Sequence, residues 1–178
     1  MNRITTILPY SLLLIALLIS GCSEEKKEPQ QEAAAPAIDP VFKRVSSSHS
    51  GITFRNTVVE TYDNFFDVFA YVYNGAGVGI GDINNDGLPD IYFTGNEVPN
   101  KLYLNQGDMK FKDISKSAGV EGSGKWNNGV TMTDINQDGL KDIFLCVAGT
   151  RNTPSRKRKN LLFINKGNNT FTESAGSY

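Results

Sequence analysis

A nine-residue acidic segment occurs twice in this chain: Asp82-Ile83-Asn84-Asn85-Asp86-Gly87-Leu88-Pro89-Asp90, and again Asp134-Ile135-Asn136-Gln137-Asp138-Gly139-Leu140-Lys141-Asp142. Both read D-I-N-x-D-G-L-x-D. Oxygen-bearing side chains at alternate positions, followed by a glycine that permits a sharp turn, are what a hard cation such as Ca²⁺ requires. The predicted ligands are the side chains of Asp82, Asn84, Asp86 and Asp90 with the carbonyl of Leu88, and those of Asp134, Asn136, Asp138 and Asp142 with the carbonyl of Leu140. Each loop carries three carboxylates, so an empty loop concentrates negative charge and its filling is linked to stability. Sites on exposed turns of this kind bind weakly, on the order of 10⁻⁵ to 10⁻³ M.

The repeat is longer than the loops, which begin 52 residues apart at Asp82 and Asp134. Gly77-Val78-Gly79-Ile80-Gly81 precedes the first and Gly129-Val130-Thr131-Met132-Thr133 the second. Ile91-Tyr92-Phe93 is matched by Ile143-Phe144-Leu145, Leu102-Tyr103-Leu104-Asn105 by Leu162-Phe163-Ile164-Asn165, and Phe111 by Phe171. The second copy is longer between Gly149 and Asn160, where Pro154 and the run Arg156-Lys157-Arg158-Lys159 predict a solvated surface loop. Short β-branched and aromatic runs bounded by Gly, Asn and Asp predict four strands in each repeat, about 72–120 and 125–178. Four short antiparallel strands per unit of about 50 residues describe a β-propeller blade. The predicted fold is therefore all-β: a partial propeller of about two to three blades spanning 41–178. Propellers have about four to eight blades, so the chain is expected to be part of a longer one.

Flanking features choose among calcium loops. An EF-hand needs helices on both sides and a Glu at position 12, where this chain has Phe93 and Leu145. Dockerin-type loops also lead into helices. The pattern Gly75-Ala76-Gly77-Val78-Gly79-Ile80-Gly81-Asp82, continued by Asn100-Lys101-Leu102-Tyr103-Leu104-Asn105, Gly107 and Phe111, resembles the FG-GAP or VCBS repeat of integrin alpha chains, although the usual proline is absent. In particular it resembles the bacterial surface-lipoprotein branch related to cartilage acidic proteins and ASPIC/UnbV-containing proteins. That resemblance implies a binding or adhesion module, with a protein or a glycan as its ligand, and no catalytic residues. The alternatives are a non-catalytic part of a carbohydrate-active enzyme, or a subunit of an outer-membrane nutrient-uptake assembly.

The N-terminus predicts location. A basic start at Arg3 and an apolar stretch from Ile7 to Ile19 fall short of the about 20 residues of a membrane span and fit a signal peptide over 1–21. Ile19-Ser20-Gly21-Cys22 resembles a bacterial lipobox, which implies lipid on Cys22 and an outer-membrane protein held by that lipid, and the acidic pair Glu24-Glu25 resembles a lipoprotein surface-export signal, which implies surface exposure. Residues 22–40 have almost nothing apolar to bury and are expected to be a disordered tether. The net charge of −1 offers no basic excess for nucleic acid.

Three further expectations concern packing. Residues 41–55 look like the last strand of a preceding blade, because Phe42-Lys43-Arg44-Val45 followed by Ser50-Gly51-Ile52 echoes Phe111-Lys112-Asp113-Ile114 followed by Ala118-Gly119-Val120. The aromatics Tyr62, Phe65, Phe66, Phe69, Tyr71 and Tyr73 are expected in blade packing, and Cys146 as a buried thiol. His49, the one histidine, sits among serines, and no nucleophile–base set or phosphate loop accompanies it.

Overall fold

Strands form where β-branched and aromatic side chains are bracketed by turn residues, and this chain supplies such runs in two successive sets. A computed structural model describes residues 41–150 and 152–177, so the expected signal peptide, Cys22 and tether lie outside the described residues. After a four-residue helix, α1 (Ser47–Ser50), come β1 (Val78–Gly81), β2 (Asp90–Phe93), β3 (Lys101–Asn105) and β4 (Phe111–Asp113). A second short helix, α2 (Ser115–Ala118), leads to β5 (Trp126–Thr133), β6 (Asp142–Ala148), a 3₁₀ turn (Ser155–Lys157), β7 (Leu161–Asn165) and β8 (Phe171–Glu173). Among the described residues no helix is long and apolar enough to cross a membrane.

The strands make two antiparallel sheets in sequential order, β1-β2-β3-β4 and β5-β6-β7-β8. Their registers coincide: Gly81 faces Asp90 as Thr133 faces Asp142, Tyr92 faces Leu102 as Phe144 faces Leu162, and Asn105 faces Phe111 as Asn165 faces Phe171. This is the expected all-β, four-stranded blade, formed twice. The lengthened segment of the second copy is an exposed loop around the 3₁₀ turn, with Arg156 to Lys159 all solvated.

One apolar core joins the sheets. Tyr92 and Leu102 of the first meet Ile143, Leu145, Leu161 and Phe163 of the second, all nearly removed from water. Burying such side chains contributes about 1.5–3 kcal/mol each. Ile83, from the first acidic loop, and Val120, just after α2, belong to the same cluster. Glycines on β1 and just before it are what let the sheets approach. A Cβ at Gly79 would lie 3.2 Å from the Val130 side chain, one at Gly81 3.0 Å from Met132 Sδ, and one at Gly77 2.6 Å from the Asn128 backbone oxygen.

The leading segment departs from expectation. Residues 42–45 form no strand, and the echo of the first repeat lies instead in the corner that follows. The helix α1 ends at Gly51 (φ +75°) as α2 ends at Gly119 (φ +76°), each glycine supplying a left-handed cap. Residues 51–59 then run over one face of the first sheet without regular structure, and there Phe54 stacks on Phe93 at 5.1 Å and the Thr53 N–H reaches Tyr103 Oη at 3.3 Å. With those side chains and that amide engaged face-on, the segment lies across the sheet rather than beside an edge strand.

The aromatic run is a second correction. Tyr62, Phe66, Tyr71 and Tyr73 are 58–96% exposed, and only Phe69 is fully buried, edge-on against Trp126 at 5.2 Å. The stretch is a series of turns, in which no regular period directs side chains to one face. Cys146 is the third correction: it is exposed. It stands on β6 beside Gly129, which has no side chain to cover it.

Gly77→Ala tests the approach of the sheets. Because the new Cβ meets backbone rather than a flexible side chain, the variant should lose about 1–3 kcal/mol in denaturant unfolding. Gly87→Ala meets nothing within 4 Å and serves as the control for left-handed strain alone.

Candidate metal loops and the cleft opposite them

The acidic segments join β1 to β2 and β5 to β6, at the same end of both sheets. In each, the two central turns require left-handed backbone: Asn85 (φ +58°) and Gly87 (+83°), Gln137 (+61°) and Gly139 (+88°). Asn tolerates that region better than most residues, and glycine adopts it freely.

The first three ligand positions converge. Asp82 Oδ1 accepts from the Asp86 N–H at 3.2 Å and the Asn84 N–H at 3.3 Å, and Asp82 Oδ2 from the Gly87 N–H at 2.8 Å. Asn84 Nδ2 donates to Asp86 Oδ2 at 2.9 Å, and Asp86 Oδ1 accepts from the Leu88 N–H at 2.8 Å. The second loop repeats the pattern: the Asp138 and Gly139 amides donate to Asp134, Asn136 Nδ2 to Asp138 Oδ2, and the Leu140 N–H to Asp138 Oδ1. Burial pushes the Asp82 carboxyl up, but the N–H groups of Gly87, Asn84, Asp86 and Asn85 together outweigh it and hold it below the ordinary carboxylate value. An ionised oxygen set is what a hard cation needs. The donor chemistry of Asp82, Asn84 and Asp86, and of Asp134, Asn136 and Asp138, fits Ca²⁺.

The ninth position is placed differently. Asp90 and Asp142 are fully buried at the base of their loops. Asp90 Oδ2 accepts from the Ile83 N–H at 3.0 Å and Oδ1 from the Asn105 N–H at 2.7 Å; Asp142 does the same with Ile135 at 2.9 Å and Asn165 at 2.8 Å. Burial raises the Asp90 pKa, opposed by those two amides and reinforced by the nearby charges of Asp86 and Asp82. Among the described residues no three His, Cys, Asp or Glu side chains form a group that could hold a metal ion by themselves. Each of their oxygens keeps acceptor capacity beyond the one amide. The carbonyls of Leu88 and Leu140 lie on the exposed and half-exposed turn tips.

Asn105 and Asn165 emerge as site residues from the structure. The sequence showed them as matched positions without a role. Asn105 Nδ2 donates to the Pro89 carbonyl at 2.8 Å and its Oδ1 accepts from the Gly107 N–H at 2.9 Å. Asn165 makes the corresponding bonds to Lys141 and Gly167. A strand-end asparagine thus clips each acidic loop to the β3–β4 or β7–β8 turn.

A cleft lies at the other end of the strands. A cavity of about 600 Å³ is lined by Asp63, Glu97, Trp126, Thr150, Asn152 and Lys157, among others. Glu97 holds one wall, accepting from the Val59 N–H at 2.7 Å and Asn64 Nδ2 at 2.6 Å. Behind it Asn56 and Asn96 bond each other reciprocally, at 2.6 and 3.0 Å. Among the described residues His49 meets no carboxylate; its Nε2 lies 2.8 Å from the Asp108 backbone carbonyl, a contact between α1 and the β3–β4 turn.

The two halves of the acidic loop predict different variants. Asp90→Ala strands two buried amides and should cost about 2–4 kcal/mol in unfolding, in chelator as much as in calcium. Asp86→Ala removes an exposed tip carboxylate and should change stability only when calcium is present.

The comparisons with known proteins agree with this architecture. Residues 82–145 match the family model described as an FG-GAP-like repeat. Over 82 residues the chain is 39% identical to cartilage acidic protein 1 of Homo sapiens and of Xenopus tropicalis, a stretch covering 46% of this chain and 12% of each relative. Over 85 residues it is 35% identical to integrin alpha-8 of Gallus gallus, covering 40% of this chain and 8% of that protein. The chain therefore spans a small fraction of the curated relatives it matches. Residues 82–145 therefore carry an integrin-alpha-like FG-GAP repeat, and the strands form its four-stranded unit twice in one register.

Proposed function

We propose that the chain is a calcium-binding, membrane-anchored extracytoplasmic module that acts in protein or glycan binding. The observation that carries the calcium reading is the paired loop geometry: two independent segments bring three oxygen-bearing side chains together by the same hydrogen bonds. Repeats of this kind in integrin-like proteins point to an extracellular binding or adhesion module, and the relatives point to a non-catalytic one. Calcium would stiffen the loop end of each blade, and the cation would neutralise tip carboxylates that otherwise repel one another. The anchoring role falls to Cys22, whose position directly after an apolar leader supports lipidation.

The ligand surface in this reading is the cleft at the far end of the strands. Its volume falls within the about 300–1,000 Å³ usual for small-ligand sites. It combines an aromatic wall at Trp126 with amide, hydroxyl and both signs of charge. Trp126 is the one tryptophan of the chain, so its emission reports on the cleft. A panel of neutral oligosaccharides that leaves the emission unchanged would move the ligand surface elsewhere.

Three measurements test the reading. Calcium at millimolar concentration should raise the melting temperature by several degrees, an effect lost in Asp86→Ala combined with Asp138→Ala. Calorimetry should find two sites in the range given by the loop chemistry; a flat titration with no thermal shift would remove the calcium reading. Cys22→Ser should move the protein from the membrane fraction to the soluble fraction and abolish incorporation of labelled fatty acid.

A further inference from the structure

The two acidic loops are not separate features of separate blades. Asn85, at the tip of the first, donates from Nδ2 to the Gly139 carbonyl of the second at 3.0 Å. That carbonyl belongs to the same peptide unit as the Leu140 N–H, which donates to Asp138 Oδ1 at 2.9 Å. The peptide is therefore held at one end by the first loop and at the other by a ligand carboxylate of the second.

A second bridge runs deeper. Asn165 is 2% exposed. Its Nδ2 donates to the Lys141 carbonyl in the second loop at 3.1 Å and to the Ile83 carbonyl in the first at 2.8 Å. Its backbone N–H meanwhile donates to Asp142 Oδ1. The matching residue of the first blade, Asn105, makes only the contacts within its own blade. One buried amide thus touches both loops, and Ile83, whose carbonyl it holds, is itself packed in the core shared by the sheets.

We propose that the two loops take up cations as a positively coupled pair, with Asn85 and Asn165 as the positioning residues that transmit the coupling. The inference rests on the calcium reading of the loops. Ordering the first loop fixes Asn85 in its left-handed conformation and presents its amide to Gly139. The second loop then meets its ion with part of its ordering already done, and reciprocity requires the same effect in reverse. Like charge acts in the opposite sense, because a filled loop attracts a second cation less than an empty one does. The tip carboxylates are solvated, and physiological salt reduces that opposing effect.

The test is a double-mutant cycle on the full chain with calcium alone as the ligand, read by calorimetry at physiological ionic strength. Asp134→Ala disables the second loop and should weaken binding at the first by at least about fivefold. In an Asn85→Gly background, which keeps the left-handed turn but removes the amide, the same Asp134→Ala change should weaken it by clearly less. The exposed position of Asn85 keeps this variant folded where Asn165→Ala, with its buried bridge removed, can fail. If Asp134→Ala leaves the first site within twofold of its original affinity, or if the loss is the same with and without Asn85, the coupling is overturned while the calcium reading stands. If neither loop binds calcium, both are overturned.

Discussion

A buried carboxylate at the end of each acidic loop is the interaction on which the arrangement depends. Asp90 and Asp142 lie on the first residue of β2 and β6, and each accepts one amide from the start of its loop and one from the end of the third strand of its blade. Three segments distant in sequence are thereby fixed at one point. A buried charge is costly unless fully hydrogen-bonded, and losing it would strand the two amides it serves. The loop is consequently divided into a base tied to the fold by backbone amides and a tip of exposed, clustered carboxylates. The base defines the blade corner, and the tip is the part proposed to respond to a cation.

The same economy operates between blades. Glycines on β1 remove the side chains that would hold the sheets apart, and the space is filled by Val130 and Met132 from β5. The core formed there takes in Ile83, the second residue of the first acidic loop. Loop conformation and blade packing are therefore one mechanical system, with Asn165 bridging them from the second blade. At the opposite end, asparagines and Glu97 organise the turns around a mixed polar and aromatic cleft, well separated along the strands from the acidic loops.

Much of this was legible in the sequence because repetition exposed it. The offset between the two D-I-N-x-D-G-L-x-D segments located eight strands, and the registers of both sheets follow from aligning them. The convergence of the side chains at the first, third and fifth loop positions was legible for the same reason. The inward turn of Asp90 and Asp142 was not, since their partners are backbone amides that carry no sequence signature. Asn105 and Asn165 stood in the repeat, but only three-dimensional contact shows that one serves a single loop and the other both. The leading segment misled because a strand-like run needs a free edge beside it, and here residues 51–59 lie across a sheet face instead. The exposed aromatics and Cys146 misled for a related reason: apolar character predicts burial only where a neighbouring side chain exists to provide it.

Amide hydrogen exchange tests the divided loop most directly. The Ile83, Asn105, Ile135 and Asn165 amides, bonded to the buried carboxylates, should exchange slowly in chelator and in calcium alike. The Asp86, Gly87, Asp138 and Gly139 amides at the tips should exchange rapidly in chelator and slow when calcium is added. Base amides that exchange as fast as tip amides in chelator would contradict it, because the buried carboxylates would then not hold the loops in place.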